Sequence, residues 1–229
     1  MKKIILLLVV GLCFITGCEQ KKEEEQNELK INHFASEDTK IESFITKDNQ
    51  LVIYLENNSS SMVDFYDIDV AIYDKDNELL KTGETFLKNI LVNSSGYASI
   101  DLPKDEKENV IDISKIDVKV HENRYDLKTS DNYKDKIKVS YTKNEEDKSK
   151  VNVKITNSSN QKLNELEIKC LLKENDKIVA VLSINLNEMD KEEITTIYIP
   201  TLMNNDTIEY ISYDEIEFHV NHAIKNKQV

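Results

Sequence analysis

The sequence is short of the residues that mark several specialised architectures. It has four glycines, two prolines and no tryptophan, and two of the glycines, Gly11 and Gly17, fall in one apolar stretch at the amino terminus. Collagen-like, elastic-linker and glycine-rich phosphate-cradling designs are excluded. Arginine occurs once, at Arg124, and the formal charge is −13. A nucleic-acid partner is excluded on that ground, because binding phosphates needs a basic footprint. There is no G-x-S-x-G elbow, no H-E-x-x-H pair and no Cys/His arrangement of a thiol hydrolase. The chain is therefore expected to be no enzyme, with no catalytic residue, metal site or cofactor. What is present suffices for a packed interior. Of 229 residues, 39% are hydrophobic and 32% charged, outside the range of wholly disordered chains. The length allows one large domain or two small ones.

The amino terminus reads MKKIILLLVVGLCFITGC. Lys2 and Lys3 form a positive n-region, and Ile4 to Ile15 an apolar run too short to span a bilayer, which needs roughly 20 residues. It reads as a signal peptide over residues 1–17. Ile15-Thr16-Gly17-Cys18 resembles the lipobox of bacterial lipoproteins. That resemblance implies cleavage before Cys18, lipidation of its thiol, and a mature chain held by its lipid anchor on the outer face of the cytoplasmic membrane. The abundance of Lys, Asn and Ile suits a low-GC Gram-positive source. Residues 18–36, charged and without periodicity, read as the lipidated cysteine and an acidic tether. Cys13 leaves with the signal, so Cys170 is the one thiol of the folded part and no intramolecular disulfide is available.

From residue 37 onward apolar residues alternate with polar ones, the period of a half-buried strand. Leu51, Ile53 and Leu55 form one set, Ile68, Val70 and Ile72 another, Ala98, Ile100 and Leu102 a third, and Ile116, Val118 and Val120 a fourth. Polar clusters such as Asn57 to Ser61 and Asp74 to Asn77 separate them. The expected fold class is all-β.

Sliding the chain on itself by 97 to 100 residues exposes an internal repeat. Val52 to Ser60 lies over Asn152 to Asn160, and Ile68 to Leu80 over Leu166 to Ile178. Ser99 to Pro103 lies over Thr196 to Pro200, and Ile113 to Asn123 over Ile211 to Asn221. The spacing predicts two tandem immunoglobulin-like or fibronectin-like β-sandwiches at residues 37–124 and 137–222. A linker at 125–136 and a tail at 223–229 complete the layout, with the sandwiches arranged like beads.

The run Tyr66-x-Ile68-x-Val70-x-Ile72-Tyr73-Asp74-Lys75-Asp76-Asn77, after a strand ending in Asn-Asn-Ser, resembles the FxLYD-type Ig-like domains of Gram-positive lipoproteins. In the second repeat Leu171 to Asp176 replaces the Tyr-Asp element. The resemblance implies a β-sandwich outside the cell and carries no catalytic residue to transfer.

Individual residues have bland readings. Cys170 lies over Ile72 and is expected to pack in a core as a small hydrophobe. His219 and His222 follow a strand, so their spacing puts them on opposite sides, and His219 and its repeat partner His121 are expected to be exposed. Asp74 to Glu78 lacks the glycine and glutamate of a calcium loop and reads as a hairpin turn. Asp64, Asp67 and Asp69, with Glu165 and Glu167, make an acidic outward face. The expected function is that of a non-enzymatic interaction module for an envelope protein partner. The alternative is an accessory or sensory subunit of an envelope enzyme or transporter.

Overall fold

The computed structural model describes residues 29–105, 111–124, 130–204 and 207–226. Cys18, the signal segment, the tether up to residue 28 and residues 125–129 of the expected linker lie outside the described residues.

The described chain is an all-β sandwich fold. In its first half, β1 (Lys30–Phe34), β4 (Val63–Tyr73), β5 (Leu79–Ile90) and β7 (Lys115–Asn123) form a sheet in the order β1-β7-β4-β5. Facing it, β2 (Thr39–Ile45), β3 (Gln50–Asn57) and β6 (Ser94–Asp101) run in the order β2-β3-β6. The second half repeats this strand order, with its outermost strand antiparallel to its neighbour where β1 is parallel to β7. Strands β8 (Ser130–Asn132), β11 (Glu165–Glu174), β12 (Lys177–Leu186) and β16 (Glu215–Asn226) form the sheet β12-β11-β16-β8. Strands β9 (Ile137–Lys143), β10 (Lys150–Asn157) and β13 (Glu192–Tyr198) form the sheet β13-β10-β9. A hairpin of β14 (Thr201–Asn204) and β15 (Thr207–Tyr210) stands beside them.

Alternation produces two cores. Leu51, Ile53 and Leu55 of β3 meet Ile68, Val70 and Ile72 of β4 and Ile116 and Val118 of β7 in the first. Val151, Val153 and Ile155 of β10 meet Leu166, Ile168, Cys170 and Leu172 of β11 in the second. Each fully buried aliphatic side chain contributes roughly 1.5–3 kcal/mol.

A buried asparagine closes one end of each half. The Asn57 amide donates to the carbonyls of Ser61, Ile90 and Leu91 at 2.9–3.2 Å, while its oxygen accepts from the Ser59 N–H and hydroxyl. Asn157 repeats this arrangement with Gln161, Asp190 and Ser159. Asparagine also compensates for the lack of glycine. Six of the seven described residues with positive φ are Asn, the seventh is Asp176, and none is Gly; a short side chain that bonds its own backbone tolerates this conformation best.

Three expected boundaries are corrected. Lys30 to Phe34, placed in the tether, form β1, which pairs in parallel with β7 from Lys115 to Lys119. Ser130 to Asn132, placed in the linker, form β8, which pairs with Ile224 to Asn226. Ala223 and Ile224, placed in the tail, are buried in β16. In each case a neighbouring strand offered an edge whose backbone groups needed partners.

Candidate functional site

The two halves are not beads: they are clasped face to edge. The free edge of β6 is covered by side chains from β16. Asn221 donates from Nδ2 to the Tyr97 carbonyl at 2.9 Å and accepts the Tyr97 N–H on Oδ1 at 3.0 Å. His219 Nε2 donates to the Ser95 carbonyl at 2.9 Å. A primary amide sets an N–H donor beside a carbonyl acceptor, so Asn221 occupies the place of a neighbouring strand and satisfies an edge that would otherwise stay open. The Tyr97 ring meets the His219 imidazole edge-on at 5.0 Å and the Tyr54 ring at 5.1 Å. Burial pushes the Tyr97 phenol up to about 12.

Beside this edge lies a small apolar patch. Val52 from the first half packs with Leu171 and Val181 from the second, flanked by Phe44, Tyr97 and Ile178. Polar contacts ring it. The Lys47 N–H donates to the Val179 carbonyl at 2.9 Å, and its ammonium lies 2.5 Å from Glu174. Asn132 donates to the Asn89 carbonyl at 3.0 Å, Lys134 bonds Ser94, and Lys88 pairs with Glu165. Gly96 makes the close approach possible, since a Cβ there would sit 3.2 Å from Asn221 Oδ1 and 3.1 Å from Leu87.

A β-bulge aims these side chains. The pairing of β11 with β16 shifts between Glu167↔His222 and Ile168↔Val220, which leaves Asn221 as an extra residue. Alternation restarts after it, so His219, Asn221 and His222 all leave the outer face of the sheet. This corrects two expectations: His219 and His222 are not on opposite sides, and His219 is covered rather than exposed. His222 is only 2% exposed. Its Nε2 lies 3.3 Å from Glu165, and its Nδ1, without a hydrogen bond, lies 3.7 Å from Glu167. Burial lowers the pKa of both histidines. For Glu167, burial opposes ionisation, but Lys169 at 2.8 Å and the Asn221 amide hold the carboxyl below its usual range. Both carboxylates are thus already neutralised, Glu165 by Lys88 and Glu167 by Lys169.

The other residues singled out by sequence fall elsewhere. Cys170 is fully buried in the second core, and burial pushes its thiol up to about 12, so it stays protonated. Asp74 accepts the N–H groups of Asp76 and Glu78 at 2.9 Å, and Asn77 has φ 61°, which makes the segment a hairpin turn. Asp67 and Asp69 lie exposed on the outer face of β4 as expected, and Asp69 stands 3.4 Å from the exposed His121. Asp64 is buried, which removes it from that face. Glu165 and Glu167 face the clasp rather than open solvent.

Two features escaped the sequence reading. Asn221 was signalled by the matching triplets His121-x-Asn123 and His219-x-Asn221, of which only the histidines drew notice. The other is a cleft of about 570 Å³ beside the β14–β15 hairpin, lined by Lys143, Lys148, Lys150, Tyr210 and Tyr213. Its lining comes from segments some sixty residues apart and had no local signature.

The fold and the clasp together define an all-β sandwich protein whose repeated halves are joined through a covered strand edge. Neither a protein-family model nor a curated protein matches the chain.

Proposed function

We propose that the chain is an extracytoplasmic lipoprotein, anchored through Cys18, in which two Ig-like domains of FxLYD type form a non-enzymatic protein-interaction module. The domains span residues 30–124 and 130–226, wider than the alternation alone suggested. One observation carries the interaction reading. The clasp uses one sheet face of the second half and leaves the equivalent face of the first half, with Asp67, Asp69 and His121, open to solvent. The lipobox and the lack of catalytic motifs support the anchored, non-enzymatic part. Two measurements test it. Cys18→Ser abolishes fatty-acid labelling and releases the protein from the membrane; labelling that persists in this variant overturns the anchoring. A photo-crosslinking residue at position 69 on whole cells captures a discrete protein partner, whereas the same group at the solvent-facing Asn185 of β12 captures none. Equal capture at both positions overturns the interaction module.

A further inference from the structure

The clasp is heterologous: it joins a face of one half to an edge of the other, and the two halves share one strand order. Each half therefore carries a face and an edge, and the clasp consumes only one of each. We propose that the two unused surfaces join one copy of this chain to the next, head to tail. The outer face of β4 and β7 takes the edge strand β13 of a second copy. This rests on the interaction-module reading and names its partner.

Strand pairing sets Ile68 opposite Val120 as it sets Ile168 opposite Val220, so on the unused face Asp67 and His121 take the place of Glu167 and His222, and Asp69 and Lys119 that of Lys169 and His219. Cross-strand pairing puts Asp67 beside His121 and Asp69 beside Lys119, so these side chains share one face. Asn123 bonds Asp67, much as Asn221 bonds Glu167.

The unused edge is β13. It pairs with β10 as β6 pairs with β3: Ile194 stands opposite Lys154 where Tyr97 stands opposite Tyr54. In β6 that position is covered by Asn221 and His219; in β13 it is open. Ile194 is 66% and Tyr198 64% exposed, the two highest values among the exposed large hydrophobic side chains described. An exposed edge strand bearing large apolar side chains invites pairing.

Charge selects a second copy as the occupant. The outer face of β9, β10 and β13 presents Lys138, Lys150 and Lys154 against two carboxylates, Asp147 at 2.7 Å from Lys150 and Glu192 at 2.7 Å from Lys154, which leaves it basic at Lys138. Facing it would be Asp67 and Asp69 on β4, Glu84 on β5 and Asp117 on β7, against Lys115 and Lys119 on β7, a face that is acidic on balance. Opposed surfaces of opposite sign steer association and set register. The contact is weaker than the internal clasp, because Phe44 and Val52 of its apolar patch are replaced by Thr142 and Asn152. Confinement of anchored chains to a membrane surface raises their effective concentration and offsets part of that weakness. Since a docked copy again exposes one face and one edge, the contact can pass from copy to copy.

The test uses the full lipidated chain in phosphatidylglycerol vesicles under mild oxidation, with single cysteines introduced by Asn123→Cys or Ile194→Cys; Cys170 is buried and does not interfere. A mixture of the two variants gives a disulfide-linked dimer at least about tenfold faster than either variant alone. Asp69→Lys in the Asn123→Cys chain slows the mixed reaction, and Lys154→Glu in the other chain restores it. Self-pairs that crosslink as fast as the mixed pair, or a mixed pair that does not crosslink, overturn the proposal. If the mixed pair fails while position 69 still captures a different envelope protein on cells, the second copy is the wrong occupant and the interaction module stands.

Discussion

The first and second halves share strand order, core positions and the buried asparagine corner, yet they differ in what covers them. In the first half the edge of β6 is closed by Asn221 and His219 and the face of β4 and β7 is open. In the second half the face of β11 and β16 is closed and the edge of β13 is open. One strand order used twice thus has four docking surfaces, of which a single internal contact can use only two. The remaining two, the face of β4 and β7 and the edge of β13, stay open, and this asymmetry, rather than any reactive group, makes the surface worth testing.

The comparison is broken most severely in the cores. Leu55→Ala and its counterpart Ile155→Ala each cost about 2–5 kcal/mol, since both remove fully buried atoms and leave a cavity. If the clasp couples the halves, either substitution lowers one shared thermal transition; two separate transitions in the calorimeter would show the halves to be independent. Next come the corners. Asn57→Ala and Asn157→Ala each cost about 1–3 kcal/mol, with Asn57 at the upper end because it makes the larger set of bonds. Chemical denaturation of the two variants side by side measures that difference.

A sharper contrast lies in the amide pair. Asn221→Ala leaves the Tyr97 N–H and carbonyl without partners at a covered edge and costs about 1–3 kcal/mol, while Asn123→Ala on the open face stays within about 0.5 kcal/mol. Hydrogen exchange of the Tyr97 amide reads it directly, accelerating in the first variant and not in the second.

Acid acts on the histidines whose pKa burial lowers, His219 and His222 at the clasp and the more exposed His33 in the first half. The pKa values of His219 and His222 are lowered from the ordinary 6.5 by burial. The unfolded chain therefore binds more protons than the folded one below that value, and stability rises with pH. The contribution is complete above about 6.5 and is lost as pH falls toward the folded-state values. Stability measured between pH 7.5 and 5 falls in the parent chain and falls less in His222→Gln. The effect at the rim is small: Lys47→Ala costs at most about 1 kcal/mol, because the Lys47–Glu174 pair is partly solvated, and thermal denaturation of the variant checks it.

Much of this was legible in residue order. The alternation of Leu51, Ile53 and Leu55 marked a core-facing strand, and the offset of about 98 residues announced that one strand order would recur. Cys170 was readable as a core residue because its repeat partner Ile72 is one. The outer limits of each half were not legible. Lys30 to Phe34 carry weak alternation, and they become a strand because β7 presents an unpaired edge in space. The site was less legible still. Strict alternation separates His219 from His222, and only the bulge at Asn221, set by pairing with β11, returns them to one face.

The sequence by itself determined the fold class, the duplicated strand order and the choice of Asn over Gly at turns, because each depends on residue type at short, regular spacing. Tertiary structure alone decided which of the duplicated surfaces would be covered. That choice depends on a one-residue bulge, on the close approach allowed at Gly96, and on an asparagine meeting a backbone edge 124 positions away. Contacts of that separation are set by how packed sheets meet, and no local pattern encodes them.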